Sequence, residues 1–387
     1  MHPDRIVDIC HRSEVPSPCY LIHQGVLDKN LDVLRTVQQR TGAKIILALK
    51  GFATFSVFPQ IRQVLHGTTA SSINEARLGL EEFGREVHVY CVAYKSEELA
   101  RLSTVATHIT MNSLSQWQQL RATALAPDNV ASYGLRINPE YSEIETDLYN
   151  PCRPGSRFGV TSDQLEGVDL EGLDGLHFHT MCEQNADTLA RTLEVVEQKF
   201  GHLLRGLRWL NMGGGHHITR PDYDVDLLCQ CIHQIQDTYH VQVYLEPGEA
   251  IALNTGYLVT TVLDRFRNGD RELAILDTSA SAHMPDVLEM PYRPEILGGG
   301  LPGERAHTVN LGGLTCLAGD VIGDYSFDEL PRIGDRLIFA DMAHYTMVKN
   351  TTFNGINLPA IAVYAPEADS VHVVREFGYE DYRDRLS

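Results

Sequence analysis

The sequence predicts an α/β fold in which a (β/α)8 barrel is joined to a second, all-β domain. Three observations lead to this prediction. Eight strand-like runs occur, amphipathic stretches lie between them, and after about residue 255 short strand-like runs stand among glycine and proline clusters. The chain has 387 residues, of which 43% are hydrophobic and 21% charged, and this suffices for about two domains. We assign residues 25–255 to the barrel, and residues 1–24 and 256–387 to the β domain.

Short apolar runs define the barrel strands. They cover residues 45–50, 67–71, 87–91, 108–112, 132–137, 175–179, 208–213 and 241–247. Eight alternations of strand and helix favour a closed barrel over an open doubly wound sheet, although periodicity alone does not prove closure.

Amphipathic stretches with helix-start signals lie between these runs. Apolar residues recur at helical spacing at Leu27, Leu31 and Leu34, and at Leu189, Leu193, Val196, Phe200 and Leu203. Ser72 with Glu75 predicts a capping box, and Asn112-Ser113 predicts another helix start.

The β domain is predicted from short strand-like runs among glycine and proline clusters. These runs cover residues 257–263, 272–276 and 335–341. The early segment Pro18–Ile22 has the same character, and we expect it to join this second domain.

Composition excludes several classes of function. No apolar run approaches the roughly 20 residues that a membrane helix needs, and Met1–Arg5 begins no signal peptide, so we expect a cytoplasmic protein without a membrane partner. The eight cysteines form no Cys-x-x-Cys pair, which argues against a zinc ribbon or a disulfide framework. A net charge of −19 argues against a nucleic-acid partner.

Chemically distinctive residues stand where the predicted barrel strands end. They are Lys50, Arg136, His179, Gly213–Gly215 and Glu246. In a (β/α)8 barrel the strand ends carry the chemistry. Taken singly, each has a plain structural interpretation, such as a tight turn, a core histidine or a salt-bridge partner. Because all five fall at one rim, a shared site is the better interpretation.

Pyridoxal phosphate chemistry would use each of these groups. A lysine such as Lys50 can form a Schiff base with the cofactor. The glycine-rich turn lets backbone N–H groups approach a phosphate, and we expect the following helix start to assist. A carboxylate such as Glu246 can keep the pyridine nitrogen protonated, so that the ring accepts electrons.

These residues belong to motifs that cover nearly the whole chain. The motifs are Ala48–Gly51, Thr69–Ser72, Leu135–Pro139, Ser156–Gly159, Gly175–Thr180, Asn211–Gly215, Glu246–Glu249, Leu314–Asp320 and Ala343–Thr346. In them the chain closely resembles the fold-type III pyridoxal phosphate decarboxylases of the ornithine and diaminopimelate decarboxylase group. Within that group it is most similar to the carboxynorspermidine/carboxyspermidine decarboxylases. The resemblance implies a barrel of alanine-racemase type with a C-terminal β domain.

The resemblance also implies roles for the barrel residues. Lys50 matches the lysine that carries the cofactor, His179 the imidazole stacked on its ring, and Arg136 an arginine near that ring. Gly213, Gly214 and Gly215 match the phosphate loop. Glu246 matches the acid that faces the pyridine nitrogen.

Two further matches lie in the β domain. Tyr345 matches a hydroxyl that reaches the phosphate, and Cys316 matches the cysteine that returns a proton to the substrate. In the family this cysteine reaches into the neighbouring subunit's site. The resemblance therefore implies a homodimer with shared active sites.

Departures from the family pattern concern the substrate. Glu249 and Glu289 stand where relatives carry arginines that receive a phosphate or a substrate carboxylate, and Asp286 lies close to Glu289 in the sequence. These three acids suggest a small polyamine precursor whose distal end is cationic. Leu317 replaces an acid next to the catalytic cysteine, which fits a longer substrate. Cys182 stands near the position of a phosphate-contacting serine, which puts that contact in doubt.

The predicted reaction is therefore the decarboxylation of carboxynorspermidine or carboxyspermidine to norspermidine or spermidine. Diaminopimelate decarboxylase is the nearest alternative, and Glu249 and Glu289 argue against it. A metal-dependent amidohydrolase is an alternative of another class, because His177 and His179 lie on one face of a strand. A third alternative is an inactive regulatory homologue, against which the presence of Lys50 and Cys316 argues.

Overall fold

The computed structural model describes residues 3–126 and 129–387, and divides into two compact units. The barrel unit is Lys29–Ile251, and the sheet unit is Met1–Asp28 together with Ala252–Ser387. Each unit has its own arrangement of strands and helices.

The strands are numbered in chain order. They are β1 Cys19–His23, β2 Lys44–Ala48, β3 Gly67–Ala70, β4 Glu86–Tyr90, β5 His108–Met111, β6 Ser132–Arg136, β7 Gly175–His177, β8 Trp209–Asn211, β9 Gln242–Leu245, β10 Gly256–Asn268, β11 Arg271–Leu276, β12 His307–Gly312, β13 Val321–Phe327, β14 Arg336–Ala340, β15 Ala360–Ala365 and β16 Ser370–Arg375.

The helices are numbered in the same way. They are α1 Pro3–Cys10, α2 Gln24–Thr41, α3 Phe58–Ile61, α4 Ile73–Leu78, α5 Ser96–Val105, α6 Leu114–Ala124, α7 Ala186–Leu204, α8 Val225–Tyr239, α9 Glu249–Ala252, α10 Ala280–His283, α11 Asp286–Glu289, α12 Tyr345–Val348 and α13 Tyr379–Arg383. Short 3-10 turns cover Phe55–Val57, Asp163–Leu165 and Phe353–Gly355, and a π-helical turn covers Gly79–Phe83. Over the described residues, no helix combines the length and the apolar character that crossing a bilayer requires.

The barrel unit contains a closed parallel barrel formed by β2 to β9 in sequence order. Each strand pairs with the next, and β2 closes the barrel by pairing with β9. The predicted eight strands and their closure are confirmed. Each strand ends one or two residues earlier than predicted, so Lys50 lies in the turn after β2 rather than on the strand.

Trp209 fills part of the barrel interior, and its size accounts for the glycines at two neighbouring positions. A Cβ atom on Gly134 of β6 would lie 2.1 Å from the Trp209 ring, and one on Gly175 of β7 would lie 2.0 Å from it. Nε1 of Trp209 donates a hydrogen bond to Oγ of Ser132 at 2.8 Å. The large side chain therefore requires glycine on both neighbouring strands.

The helix-start signals are largely confirmed. Oγ of Ser113 accepts the N–H of Gln116 at the start of α6, and Oγ of Ser72 accepts the N–H of Glu75 at the start of α4. The carboxylate of Glu75, however, accepts the N–H of Ser71 instead of that of Ser72. The predicted reciprocal capping box is therefore shifted by one residue, because this side chain reaches back to the end of β3.

The apolar face of α7 follows the predicted spacing up to its last turn. Leu189, Leu193, Val196 and Phe200 are buried, and Leu204 rather than Leu203 completes the buried face.

The sheet unit is built on one mixed sheet of eight strands. Its order is β13-β12-β11-β10-β1-β15-β16, and β14 pairs with β10. Strand β1 lies antiparallel to β10 and parallel to β15, as expected for a segment that joins the second domain. The unit also carries α1 and several short helices, so it is not purely β.

Four strands of this sheet were not predicted: β12, β13, β15 and β16. Strands β12 and β13 are only partly buried and β16 has no buried residue, so these three lack the strong apolar pattern of a core strand. Strand β15 is apolar and largely buried, and sequence reasoning missed it. The core of the unit forms where Ile6 and Ile9 of α1 pack with Val259, Ile338 and Tyr364 of the sheet.

Candidate active site

The residues predicted at the strand ends lie together at the carboxyl rim of the barrel. Arg136 is the last residue of β6, His179 follows β7 by two residues, and Glu246 directly follows β9. The charges of Arg136 and Glu246 both act on the amine of Lys50. The structure therefore brings the predicted barrel residues to one place.

Lys50 has the properties of a reactive amine. Its side chain is exposed at the barrel mouth, yet protein surrounds the amine closely enough to remove much of its hydration. This desolvation lowers the pKa of Lys50, against the opposing charge of Glu246 and with the help of Arg136. A lowered pKa increases the fraction of neutral amine, which is the nucleophilic form.

Glu246 is a buried carboxylate that remains ionised. Burial alone would raise its pKa, but His177, together with the charges of His88 and Lys50, outweighs that effect and holds the pKa of Glu246 at about 2. Nε2 of His177 lies 3.3 Å from Oε2 of Glu246, and Nδ2 of Asn211 donates to Oε1 at 2.7 Å. The site thus contains a fixed negative charge in its interior.

Sequence reasoning missed Asn211 as a partner of Glu246. The available signal was a polar residue at the end of an otherwise buried strand, Trp209–Asn211. It also missed Glu75, whose charge acts on Lys50 from α4.

Arg136 is held between two aromatic rings. Its guanidinium carbon lies 4.6 Å from the centre of the Tyr90 ring and 4.5 Å from that of Phe158. Its Nη2 donates to the backbone carbonyl of His179 at 3.1 Å. These contacts fix the arginine and the loop after β7 relative to each other.

The glycine loop packs closely against the ends of β7 and β9. Gly213 and Gly215 have φ values of 72° and 80°, which other residues rarely adopt, and a Cβ on Gly214 would lie 2.4 Å from the carbonyl oxygen of Glu246. The N–H of Gly214 donates to Nδ1 of His179 at 3.0 Å. Burial, and then the charge of Lys50, lowers the pKa of His179 well below its usual value, so the imidazole is neutral.

One expectation about the glycine loop is wrong. The helix that was to follow it directly, α8, begins only at Val225, ten residues after Gly215. The intervening segment His216–Asp224 is irregular, so no helix start lies next to the glycines.

Cys182, which stands near the family's serine position, carries a neutral thiol. Burial, strengthened by the charges of Glu183 and Glu249, raises the pKa of Cys182 to about 11. A protonated thiol is a weaker hydrogen-bond donor than the hydroxyl of serine.

Cys316 and Tyr345 belong to the sheet unit. Cys316 is exposed, and both its backbone N–H and its thiol donate to Oδ1 of Asn354, at 2.8 Å and 3.0 Å. Tyr345 is half-buried and begins α12. Sequence reasoning missed Asn354, which lies 38 residues from the cysteine and carries no motif.

The two predicted substrate acids of the sheet unit share a cation. Asp286 and Glu289 lie on one turn of helix, and both pair with Nζ of Lys349. Two carboxylates and one ammonium leave one net negative charge at this position.

Three groups of the described residues could hold a metal by geometry alone. They are Glu86, His88 and His108 at the amino ends of the strands, His177, His179 and Glu246 in the site above, and Glu183, His217 and Glu249 beside it. Geometry by itself thus leaves the amidohydrolase alternative open.

The donor set of the rim fits pyridoxal phosphate. An amine with a lowered pKa, a buried ionised carboxylate and a loop that only glycine can form are what this cofactor requires. Lys50 would carry it, Glu246 would face its nitrogen, and Gly213–Gly215 would approach its phosphate.

Comparison with known proteins agrees with this fit. The family model described as pyridoxal-dependent decarboxylase, C-terminal sheet domain, matches residues 19–343. The chain is 47% identical to carboxyaminopropylagmatine decarboxylase of Synechocystis over 97% of this chain and 96% of that protein. It is 41% identical to carboxynorspermidine/carboxyspermidine decarboxylase of Campylobacter jejuni over 95% of this chain and 98% of that protein.

A solved structure extends the comparison to the fold. The crystal structure of carboxynorspermidine decarboxylase from Campylobacter jejuni, in complex with norspermidine, aligns with a TM-score of 0.89 at 40% identity. The alignment covers 96% of this chain and 100% of that one. The predicted barrel of alanine-racemase type with an added sheet domain is thereby confirmed.

Proposed function

The chain belongs to the pyridoxal-dependent decarboxylases, and from this premise we propose that it converts carboxynorspermidine or carboxyspermidine to norspermidine or spermidine, with release of CO2. The family decides against the amidohydrolase alternative for His177 and His179. The inactive-homologue alternative is disfavoured because Lys50 and Cys316 are both present.

The observation that carries the proposal is the pairing of Lys50 with Glu246 at one rim. The pKa of the amine is lowered by desolvation, and the pKa of the carboxylate is lowered by its neighbours, which favours the ionised form. Bound pyridoxal phosphate supplies a ring that accepts the electron pair left when a substrate loses CO2. Glu246 would face the ring nitrogen and favour its protonated form, and the neutral imidazole of His179 would lie against the ring.

Cys316 completes the reaction as the proton donor. Loss of CO2 from the substrate carbon leaves a position that must gain one proton, so each turnover consumes a proton. Oδ1 of Asn354 accepts the thiol hydrogen at 3.0 Å and thereby orients the sulfur. The exposure of Cys316 supports a role in the site of a second copy of the chain, and hence a homodimer with shared sites.

The acidic side chains support a substrate with a cationic distal end. Glu249, Asp286 and Glu289 place carboxylates where a second substrate carboxylate would need arginine. Diaminopimelate, which carries carboxylates at both ends, is therefore disfavoured. Lys349 offsets part of the charge of Asp286 and Glu289, so a substrate amine would compete with it there.

A second substrate is favoured by one specific observation. The 47% identity to carboxyaminopropylagmatine decarboxylase covers nearly the whole chain. That substrate ends in a guanidinium, whereas carboxynorspermidine ends in an ammonium. Both distal groups are cations, so the acids described above suit either one.

Purified holoenzyme with three separate substrates tests the proposal. An absorbance band of bound cofactor, lost on treatment with hydroxylamine, checks cofactor content first. CO2 release and amine products are then measured with carboxynorspermidine, carboxyspermidine and carboxyaminopropylagmatine, and with diaminopimelate as the competing candidate. We expect kcat/KM to be highest for one of the first two. A preference of more than about tenfold for carboxyaminopropylagmatine would establish the second candidate, and turnover of diaminopimelate alone would contradict both.

A further inference from the structure

A group of side chains beside the reactive lysine includes two residues, Glu183 and His217, that have no role in the chemistry above. It consists of Glu183, His217 and Glu249, whose oxygen and nitrogen atoms lie within 4.8 Å of one another. The loops after β7 and β8 run side by side here, because the N–H of Gln184 donates to the carbonyl of Gly215 at 3.0 Å. The N–H of His217 in turn donates to the carbonyl of Gln184 at 3.2 Å.

His217 is the member that indicates a ligand. Its side chain is only 6% exposed, and neither ring nitrogen has a hydrogen-bond partner among the described residues. Nε2 lies 3.6 Å from Oε2 of Glu249, which is too far for a hydrogen bond. Buried polar atoms are nearly always satisfied, so a polar group from a ligand would complete this arrangement.

The group adjoins the amine that would carry the substrate. A Cβ on Gly51, the residue after Lys50, would lie 3.1 Å from the backbone nitrogen of Glu249. The charges of Lys50, Glu183 and Glu249 also all act on the thiol of Cys182. The group therefore lies near the segment that carries Lys50.

The charge of the group selects a cation. The group consists of two carboxylates and one imidazole, whose oxygen and nitrogen atoms lie close together. A primary ammonium offers three N–H donors and a positive charge, which matches this set in number and sign. Glu183 is exposed, so the group reaches the protein surface.

We infer that Glu183, His217 and Glu249 bind one protonated amine of the substrate's polyamine chain. This inference rests on the proposed function and adds two residues, Glu183 and His217, to the predicted substrate contact at Glu249. The competing occupant is a divalent metal ion, which the same three residues could also ligate.

The inference is tested on the holoenzyme by measuring how tightly two related amines bind to the wild type and to variants of the proposed site. Norspermidine is compared with N-propyl-1,3-diaminopropane, which has the same chain but lacks one terminal amine. Binding of both is measured by calorimetry for the wild type, Glu183→Gln and Glu249→Gln. Glu194→Gln is the matched control, because it removes the same charge from an exposed position on α7.

We expect Glu183→Gln and Glu249→Gln to lose most of the preference for norspermidine over the analogue. The wild type and Glu194→Gln should bind norspermidine about tenfold more tightly than the analogue, as expected for one charge-assisted hydrogen-bonded group. In Glu183→Gln and Glu249→Gln this ratio should fall to about twofold. Melting temperatures check folding, and the exposed Glu183 keeps the test valid if Glu249→Gln is unstable.

Other outcomes distinguish a failure of the proposed function from a failure of the amine site alone. A wild type that binds no norspermidine contradicts the proposed function. A wild type that discriminates, beside variants that discriminate equally well, overturns the amine site alone. One equivalent of divalent metal retained by the dialysed wild type and lost from Glu249→Gln would also overturn it, in favour of a metal site.

Discussion

Replacing Glu246 by glutamine tests the electrostatic centre of the site. The carboxylate is 8% exposed, accepts the N–H of Asn211 at 2.7 Å and lies 3.3 Å from His177. A pKa lowered from 4.5 to about 2 means that its surroundings favour the charged form by about 3 kcal/mol. Glutamine has the same shape and can still accept from Asn211, but it carries no charge.

We expect this variant to lose turnover and keep substrate affinity. The charge acts when electrons flow into the ring, so kcat should fall by about a hundredfold, the rate equivalent of about 3 kcal/mol, while KM changes less than about threefold. The assay is CO2 release under saturating cofactor, with Glu194→Gln as the charge control. A Glu246→Gln variant with full cofactor content and kcat within about threefold of the wild type would refute the reasoning.

The same carboxylate predicts a pH dependence of stability. Because the folded pKa of Glu246 is depressed, its contribution is fully present above about pH 4.5 and is lost as the pH falls toward about 2. The stability advantage of the wild-type apoprotein over Glu246→Gln should thus shrink by about 1 kcal/mol between pH 7 and pH 4. Calorimetry at the two pH values measures it, and an unchanged difference would contradict the assigned pKa.

Three further predictions concern the cofactor and the shared site. Lys50→Ala should show no CO2 release in the absence of added amines, because no other group can carry the cofactor, and near-normal turnover would reject the assignment. Gly214→Ala should bind pyridoxal phosphate at least about tenfold more weakly in a spectroscopic titration, because its Cβ would lie 2.4 Å from the Glu246 carbonyl and the loop must move. Gly312→Ala, whose Cβ meets nothing closer than 3.4 Å, is the control that should retain wild-type affinity. Inactive Lys50→Ala and Cys316→Ala proteins should regain about a quarter of wild-type sites after random subunit exchange, and verified heterodimers that stay inactive would reject the cross-subunit proton donor.

The barrel could be predicted because its signals are local. Buried parallel strands are continuous apolar runs, and the amphipathic helices between them follow the 3.6-residue period, so all eight strands were found within one or two residues of their ends. The missed sheet strands differ from these: β16 has no buried residue, and β15 is held in the sheet by β1, which lies near the other end of the chain. Pairing with distant segments leaves no periodic mark in a sequence.

Some residues of the candidate site could likewise be predicted from the sequence, and others could not. Lys50, His179 and Glu246 could be predicted because a barrel places the ends of its strands at one rim, whatever their separation in the chain. Their partners could not be predicted from motifs. Asn211 became a partner of Glu246 only through the pairing of β8 with β9, and Asn354, 38 residues from Cys316 in the sequence, meets it only in the folded chain.

By itself, the sequence determined the fold class, the cofactor chemistry and the family, because these depend on residue type and order along the chain. The tertiary structure decided the charge states and the contacts. It lowered the pKa of Lys50, kept Glu246 ionised and placed Lys349 on the acids of α11. Those outcomes depend on burial and on distances between side chains that are far apart in sequence, which only the folded chain brings together.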